Sequence, residues 1–335
     1  MSGKSHHLRC RANGWQRRTC LGVAWPYVDI GEDQVDPLRD VRVLQVLEKS
    51  EKVDMEHYCI TPGLSFDVKL GGYRNIHCVT NTLGQFLIAE KWETTVHVYD
   101  KNGMLQFSYN AQTDDAKWQF RIEIADIVTE DVSDKIYLLI ISAGEDEVQV
   151  LNKTADLQYK FPVEYGERLI VSGSKLVILG PREVHVYNQN GEFDRSFEFF
   201  KSEDDKMLAD CTATYDGRIL IMYRKGDLSD YFWVHVFTME GQETAKFKSG
   251  VGLNLGRMFF SPRSAGEHVV IAGCNFEDGI MTVELYTVDG KLVRRILLRK
   301  KRRLVFDGIT VTMEGQIAVC FHPYGCNGKV VVYKH

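Results

Sequence analysis

Three sets of side chains in this 335-residue chain have residue types suited to chemistry. The first is basic and aromatic. It comprises the run Arg299, Lys300, Lys301, Arg302 and Arg303, together with Tyr324, Lys329, Tyr73, Arg74, Lys91, Trp92, Lys117 and Trp118. Such interleaving suits single-stranded RNA, because cations neutralise phosphate and each aromatic face stacks a base for about 1–3 kcal/mol. The second set is acidic: Glu145, Asp146, Glu147, Glu203, Asp204, Asp205, Asp227 and Asp230. If the two sets share one surface, the face is bipolar; it steers and orients a protein partner and repels a long polyanion crossing it. The third set has metal-ligand types, His77, Asp126, Asp210 and Asp307, beside three more histidines, His97, His185 and His235.

Other chemistries find no motif. The eight cysteines contain no C-x-x-C pair and no Cys/His ladder of zinc spacing, and the chain has neither a nucleotide-binding loop nor a G-x-S-x-G elbow. No metal, no cofactor and no catalytic residue is therefore assigned. The cysteines read as reduced, buried thiols of an intracellular protein, which places it in the cytoplasm. Thr19–Val28, the longest uncharged stretch near the start, is too short to cross a membrane and poor as a signal core, so no membrane partner is expected. A net charge of −5 argues against coating nucleic acid by bulk charge and leaves room for a local basic patch.

What must position these residues is a repeat. One phrase occurs six times: Val96-His-Val-Tyr99, Val148-Gln-Val-Leu151, Val184-His-Val-Tyr187, Val234-His-Val-Phe237, Val283-Glu-Leu-Tyr286 and Val330-Val-Val-Tyr333. The starts lie 52, 36, 50, 49 and 47 residues apart, the period of an architecture whose unit is a small sheet. Around each phrase comes an apolar segment, a tight turn, a second segment, a loop, the phrase, another turn and a fourth segment. That order predicts a four-stranded antiparallel meander. In the first unit the strands fall at Ile76–Thr80, Phe86–Glu90, Val96–Asp100 and Met104–Tyr109; later second strands fall at 136–141, 175–179, 219–223, 269–273 and 316–320. Asn102-Gly103, Asn190-Gly191, Glu240-Gly241 and Asp289-Gly290 follow the phrase and supply the positive φ of two-residue hairpins. The second unit, with Thr154-Ala155-Asp156, lacks the glycine.

Six such units around an axis define an all-β fold, a six-bladed β-propeller. The sixth unit lacks a fourth strand, and Leu64–Leu70 has the alternation to supply it, so an N-terminal strand is expected to complete the last blade. Residues 63–335 then form the propeller. Residues 1–62 form an irregular basic lead-in, with one short helix expected within 36–56.

Asn81-Thr-Leu-Gly84-Gln-Phe-Leu-Ile-Ala-Glu90, followed by Val96–Asp100 and Asn102-Gly103, resembles an NHL repeat, and Leu64–Gly72 resembles the segment leading into such a domain. The resemblance to the NHL propeller of tripartite-motif proteins covers roughly residues 64–335, closest in the first and fifth units. It implies target recognition within a ubiquitin-ligase pathway, and in some relatives RNA binding. The RING and B-box zinc spacing that carries or accompanies ligase activity in that family is missing from residues 1–62, so ligase chemistry by this chain is not expected.

In the meander, the turns between strands one and two and between three and four share one end of the ring and are short. The other end gathers long, varied loops: Tyr109–Arg121, Phe200–Leu208, Arg224–Phe232, Lys248–Met258, Asn275–Thr282, Leu298–Leu304 and Phe321–Lys329. Recognition tends to sit on variable loops held by a rigid scaffold, which makes this end the expected working face. The leading expectation is a non-catalytic module binding a protein target there. The alternatives are RNA binding by the basic and aromatic sector, and a metal-dependent propeller enzyme. The run Arg299–Arg303 also reads as a plain solvated loop, and Trp92, Trp118, Tyr231, Phe232 and Phe276 as either anchors or interblade packing. His97, His185 and His235 lie on third strands of different blades, where hydrogen-bonded packing is the expectation.

Overall fold

The computed structural model describes residues 42–43, 61–68, 76–90, 93–111, 122–130, 133–142, 145–200, 206–225, 231–250, 255–261, 267–275, 280–299, 304–323 and 328–334. All lie in the compact unit Pro37–His335. The strands form six antiparallel sheets, each a blade of a six-bladed propeller. Blade one is β3 (Ile76–Thr80), β4 (Phe86–Glu90), β5 (Thr95–Tyr99) and β6 (Leu105–Asn110). Blade two is β7 (Glu123–Thr129), β8 (Ile136–Ile141), β9 (Asp146–Leu151) and β10 (Leu157–Val163). Blade three is β11 (Arg168–Ser172), β12 (Lys175–Leu179), β13 (Glu183–Asn188) and β14 (Phe193–Glu198). Blade four is β15 (Lys206–Ala213), β16 (Ile219–Lys225), β17 (Trp233–Phe237) and β18 (Glu243–Lys248). Blade five is β19 (Leu255–Ser261), β20 (His268–Asn275), β21 (Ile280–Tyr286) and β22 (Leu292–Arg299). Blade six is β23 (Leu304–Val311), β24 (Ile317–Pro323) and β25 (Gly328–Lys334), with β2 (Thr61–Val68) paired to β25 as its fourth strand.

Each first strand touches the first strand of the next blade, and β23 touches β3. Because every blade is covered on both faces, middle strands such as β8 (IYLLII) and β12 (KLVIL) are buried almost throughout and need no polar alternation. Outer strands such as β14 are mostly exposed and read polar.

The repeated phrase ends in an aromatic for a physical reason. The fourth strand of one blade carries a Phe that packs on the phrase aromatic of the next: Phe66 on Tyr99 at 5.4 Å, Phe161 on Tyr187 at 6.2 Å, Phe197 on Phe237 at 6.0 Å and Phe247 on Tyr286 at 5.1 Å between ring centroids. The same Phe lies over the turn glycine. At Gly191, with φ +90°, an added Cβ would stand 2.4 Å from Phe161 Cγ, and Gly103, Gly241 and Gly290 meet Phe66, Phe197 and Phe247 alike. Phe66 thus does for blade one what Phe161 does for blade three, which fits β2 to its place in blade six.

Three sequence expectations change. The turns are not two-residue hairpins. Gly103 N–H donates to the Asp100 carbonyl and Asp100 N–H to the Met104 carbonyl, each at 2.9 Å, with a register shift after Val98, which is a three-residue turn closed by a glycine bulge. The strand expected at Leu64–Leu70 runs Thr61–Val68; Pro62 is tolerated because β2 is an outer strand. The stretch 36–56 lies outside the described residues except Arg42–Val43, which is not helix but strand β1, pairing Arg42 with Arg299 and Val43 with Leu298. The free edge of β22 offers unpaired N–H and C=O groups, and at these two residues that ladder outweighs the helical apolar stripe.

Candidate functional site

The two ends of the ring differ. At the short-turn end, side chains close their own turns: Asp100 Oδ1 accepts from the N–H groups of Asn102 and Met104, Asn152 Oδ1 from those of Thr154 and Asp156, and Asn81 Oδ1 from those of Leu83 and Gln85. These are Asx-type turns, in which a short polar side chain replaces a backbone partner. Charged groups there also pair, Arg218 with Asp216 of its own turn at 2.8 Å and, across to blade five, with Asp289 at 3.7 Å.

Of the residues expected at the long-loop end, Tyr73, Arg74, Lys91, Trp92, Lys117, Trp118, Lys300, Lys301, Arg302, Arg303 and Tyr324 lie outside the described residues. So do Glu203, Asp204, Asp205, Asp227, Asp230 and Phe276. Arg299 is the last residue of β22. Lys329 sits within β25 opposite Asp67 of β2, its Nζ 3.6 Å from Asp67 Oδ1, so a cross-strand pair of opposite charge occupies it. Phe232 is buried, whereas Tyr231 is partly exposed. On the acidic side, Glu147 pairs with Lys160 at 3.3 Å, and Asp146 is buried, which raises its carboxyl above the usual range against the pull of the Ser142 and Gly166 N–H groups.

The structure adds residues to this end that sequence reasoning missed. Glu183 and Glu198, both exposed, face each other across β13 and β14, with Glu164 and the exposed Tyr165 in the preceding connection. On blade four, Tyr231 and Trp233 meet edge to face at 6.0 Å. Lys248 Nζ stands 4.0 Å from the Tyr231 centroid and 4.7 Å from that of Trp233, and Lys246 Nζ 4.6 Å from Trp233. The signal was present in Lys246-Phe-Lys248, whose alternation puts both lysines on one face of a strand with Phe247 buried on the other. Register was what remained hidden: Trp233 pairs with Lys248.

Around the axis, the metal-type residues of the first strands join the blades. His77 Nδ1 lies 3.0 Å from Asp126 Oδ1, and Asp126 Oδ2 accepts the Leu169 N–H at 2.9 Å. Arg168 Nε lies 3.3 Å from Asp210 Oδ1, and Asp210 Oδ2 accepts the Met258 N–H at 2.8 Å. Burial acts to raise the Asp126 carboxyl, but the hydrogen bond and charge of His77, with Arg168 and the Leu169 N–H, hold it below the usual carboxylate range. Asp307 is fully buried. Among the described residues, no group of three or more His, Cys, Asp or Glu is placed to hold a metal ion.

The third-strand histidines are packed and partnered: His97 Nδ1 with Ser108 Oγ at 2.7 Å, His235 with the Tyr223 hydroxyl at 2.7 Å and Glu243 at 3.0 Å, and His185 3.5 Å from both Glu164 and Glu183. Burial pushes the Cys78 thiol up to about 12 and holds Cys211 and Cys320 well above the ordinary thiol range, so these three are unreactive thiols. Among the described residues, no helix is long and apolar enough to cross a membrane.

No protein-family model matches the chain, and no curated protein does. Among solved structures, it is similar to a chain in the crystal structure of a mitotic checkpoint complex, with TM-score 0.55 and 11% identity over 86% of this chain and 100% of that one. It is also similar to streptogramin B lyase, with TM-score 0.50 and 8% identity over 90% of this chain and 100% of that one. At these identities the likeness carries the propeller fold. The NHL resemblance gains no family match from it.

Proposed function

We propose that the chain is a non-catalytic recognition propeller that binds a protein target through its long-loop end. The observation that carries this reading is the company of groups at the long-loop end, where Glu164, Glu183 and Glu198, Lys246 and Lys248, and Tyr165 are all exposed. Charge of both signs beside exposed aromatics is what orients and anchors a protein partner. One structural neighbour belongs to a multiprotein complex and the other is a lyase, so the choice rests on the site rather than the fold. We further propose a role in target recognition for ubiquitination, in the cytoplasm; the NHL-like residues Asn81–Glu90 and Val96–Asp100 speak for the first and the buried thiols for the second.

The test is quantitative capture of interacting proteins from cells by the parent chain, by Tyr165→Ala/Glu183→Lys and by the short-turn variant Asp289→Lys. Retention of a partner by the parent and Asp289→Lys, with at least a tenfold loss for the long-loop variant, is expected. Loss caused only by Asp289→Lys would put recognition at the wrong end.

A further inference from the structure

The geometry points to the outer edge of blade four as the seat of an extended acidic segment of the partner protein, with carboxylates at alternate positions lying on Lys246 and Lys248. This rests on the protein-recognition reading above and names the chemistry of its partner. Strand β18 is outermost in its sheet, and among the described residues no strand pairs with its free edge. An edge of this kind takes an added strand through backbone hydrogen bonds, with specificity supplied by alternate side chains. The chain already does this to itself on blade five, where Arg42–Val43 pairs with the edge of β22.

Lys246 and Lys248 are two residues apart on one face of β18, a repeat of about 6.8 Å, which is also the i, i+2 spacing of carboxylates on an added strand. Both ammonium groups rest on Trp233, and Lys248 also on Tyr231, so cation–aromatic attraction holds them on that face. Neither lysine has a carboxylate partner among the described residues. Their ammonium hydrogens are left to meet an acid from outside, while the rings offer an apolar wall.

Protein is favoured over nucleic acid by the adjoining blade. Glu183 and Glu198 are directly opposed, and like charges in that position repel each other and any phosphate chain continuing past blade four. A short acidic stretch followed by a basic residue fits both blades, its acids on the lysines and its cation on the glutamates.

The test uses the full chain with three labelled probes measured by fluorescence anisotropy at low and physiological salt: a short peptide alternating Glu with Val and ending in Lys, a peptide of the same composition with its glutamates contiguous, and oligouridylate. Tighter binding of the alternating peptide by at least tenfold is expected. Lys246→Glu/Lys248→Glu should remove that binding at unchanged melting temperature, and a Lys-Val peptide should bind the reversed variant. Equal affinity for the two acidic peptides, or tighter binding of oligouridylate, overturns the proposal. Capture by the same variant separates the two readings. If a cellular partner is lost on changing Tyr165 and Glu183 yet kept by the lysine variant, this inference falls and the recognition reading stands; if neither change matters, both fall.

Discussion

Between blades two and three, Phe161 packs on Tyr187 and over Gly191; around the axis from blade one to blade four, Asp126 is held by His77 and the Leu169 N–H while Arg168 reaches Asp210. Both are seams between neighbouring sheets. The outer seam is apolar and recurs with one grammar, at Phe66, Phe161, Phe197 and Phe247. The axial one is polar and changes composition from blade to blade. The outer seam excludes water by shape. The axial girdle works by charge, so each member depends on a partner in the next blade, and it is where the ring should fail first when a charge is removed.

The largest expected effect comes from breaking the girdle at Arg168, whose guanidinium reaches a carboxylate of the next blade. Arg168→Ala leaves Asp210 buried without its guanidinium and also removes the bond from Arg168 Nη2 to the Ala209 carbonyl at 3.3 Å. Removing one partner of a buried pair costs about 3–5 kcal/mol, so the denaturant midpoint should fall with an unchanged slope. A loss below about 1 kcal/mol would mean that solvent screens the axis, and the contrast with the outer seam would collapse.

A smaller effect separates the seams by pH. Asp126 has its folded-state carboxyl held below the ordinary value near 3.9. The stability it contributes is therefore fully present above about pH 4 and lost as pH falls through the lower folded-state value. Asp126→Asn should be less stable than the parent at neutral pH, and the gap should narrow as pH falls below about 4. Thermal midpoints of the two chains measured across that range give the answer, since Asp194 and Asp216, also held low, contribute equally to both. A gap constant with pH would remove Asp126 from the girdle's electrostatics.

The difference between the seams also explains what could be read from sequence. The strands at Ile76–Thr80, Phe86–Glu90, Ile136–Ile141 and Lys175–Leu179 were legible to the residue, because apolar segments between turn residues recur at a fixed period. The turn type was not: Asn-Gly after a strand fits two hairpin geometries, and the third turn residue is identified only by the bulge after Val98. His77, Asp126 and Asp210 could be placed on first strands, but that they bond to the next blade rather than converge is a fact of interblade distance. The lysine and aromatic patch of blade four was hidden for the same kind of reason, since Trp233 and Lys248 are brought together by hairpin register.

The smallest effect sharpens the outer seam at its irregular copy. In blade two the turn glycine is replaced by Ala155, at φ +62°, with its N–H donating to the Asn152 carbonyl at 2.9 Å. A left-handed conformation costs an L-residue roughly 1–2 kcal/mol. Here the Ala155 side chain is itself buried, in a cluster that includes Tyr109, with Phe107 and Leu157 packed against it. Ala155→Gly would relieve the strain but lose about 0.8 kcal/mol of methyl burial and gain about 0.4–1 kcal/mol of freedom in the unfolded chain. The terms nearly cancel, and the expected change in unfolding free energy lies within about 0.8 kcal/mol. At Gly191 no such cancellation is available, because Phe161 already occupies the place of the methyl. A loss well above 1 kcal/mol on Ala155→Gly would show that blade two is sealed by its methyl rather than by the shared turn, and the outer seam would then have two grammars instead of one.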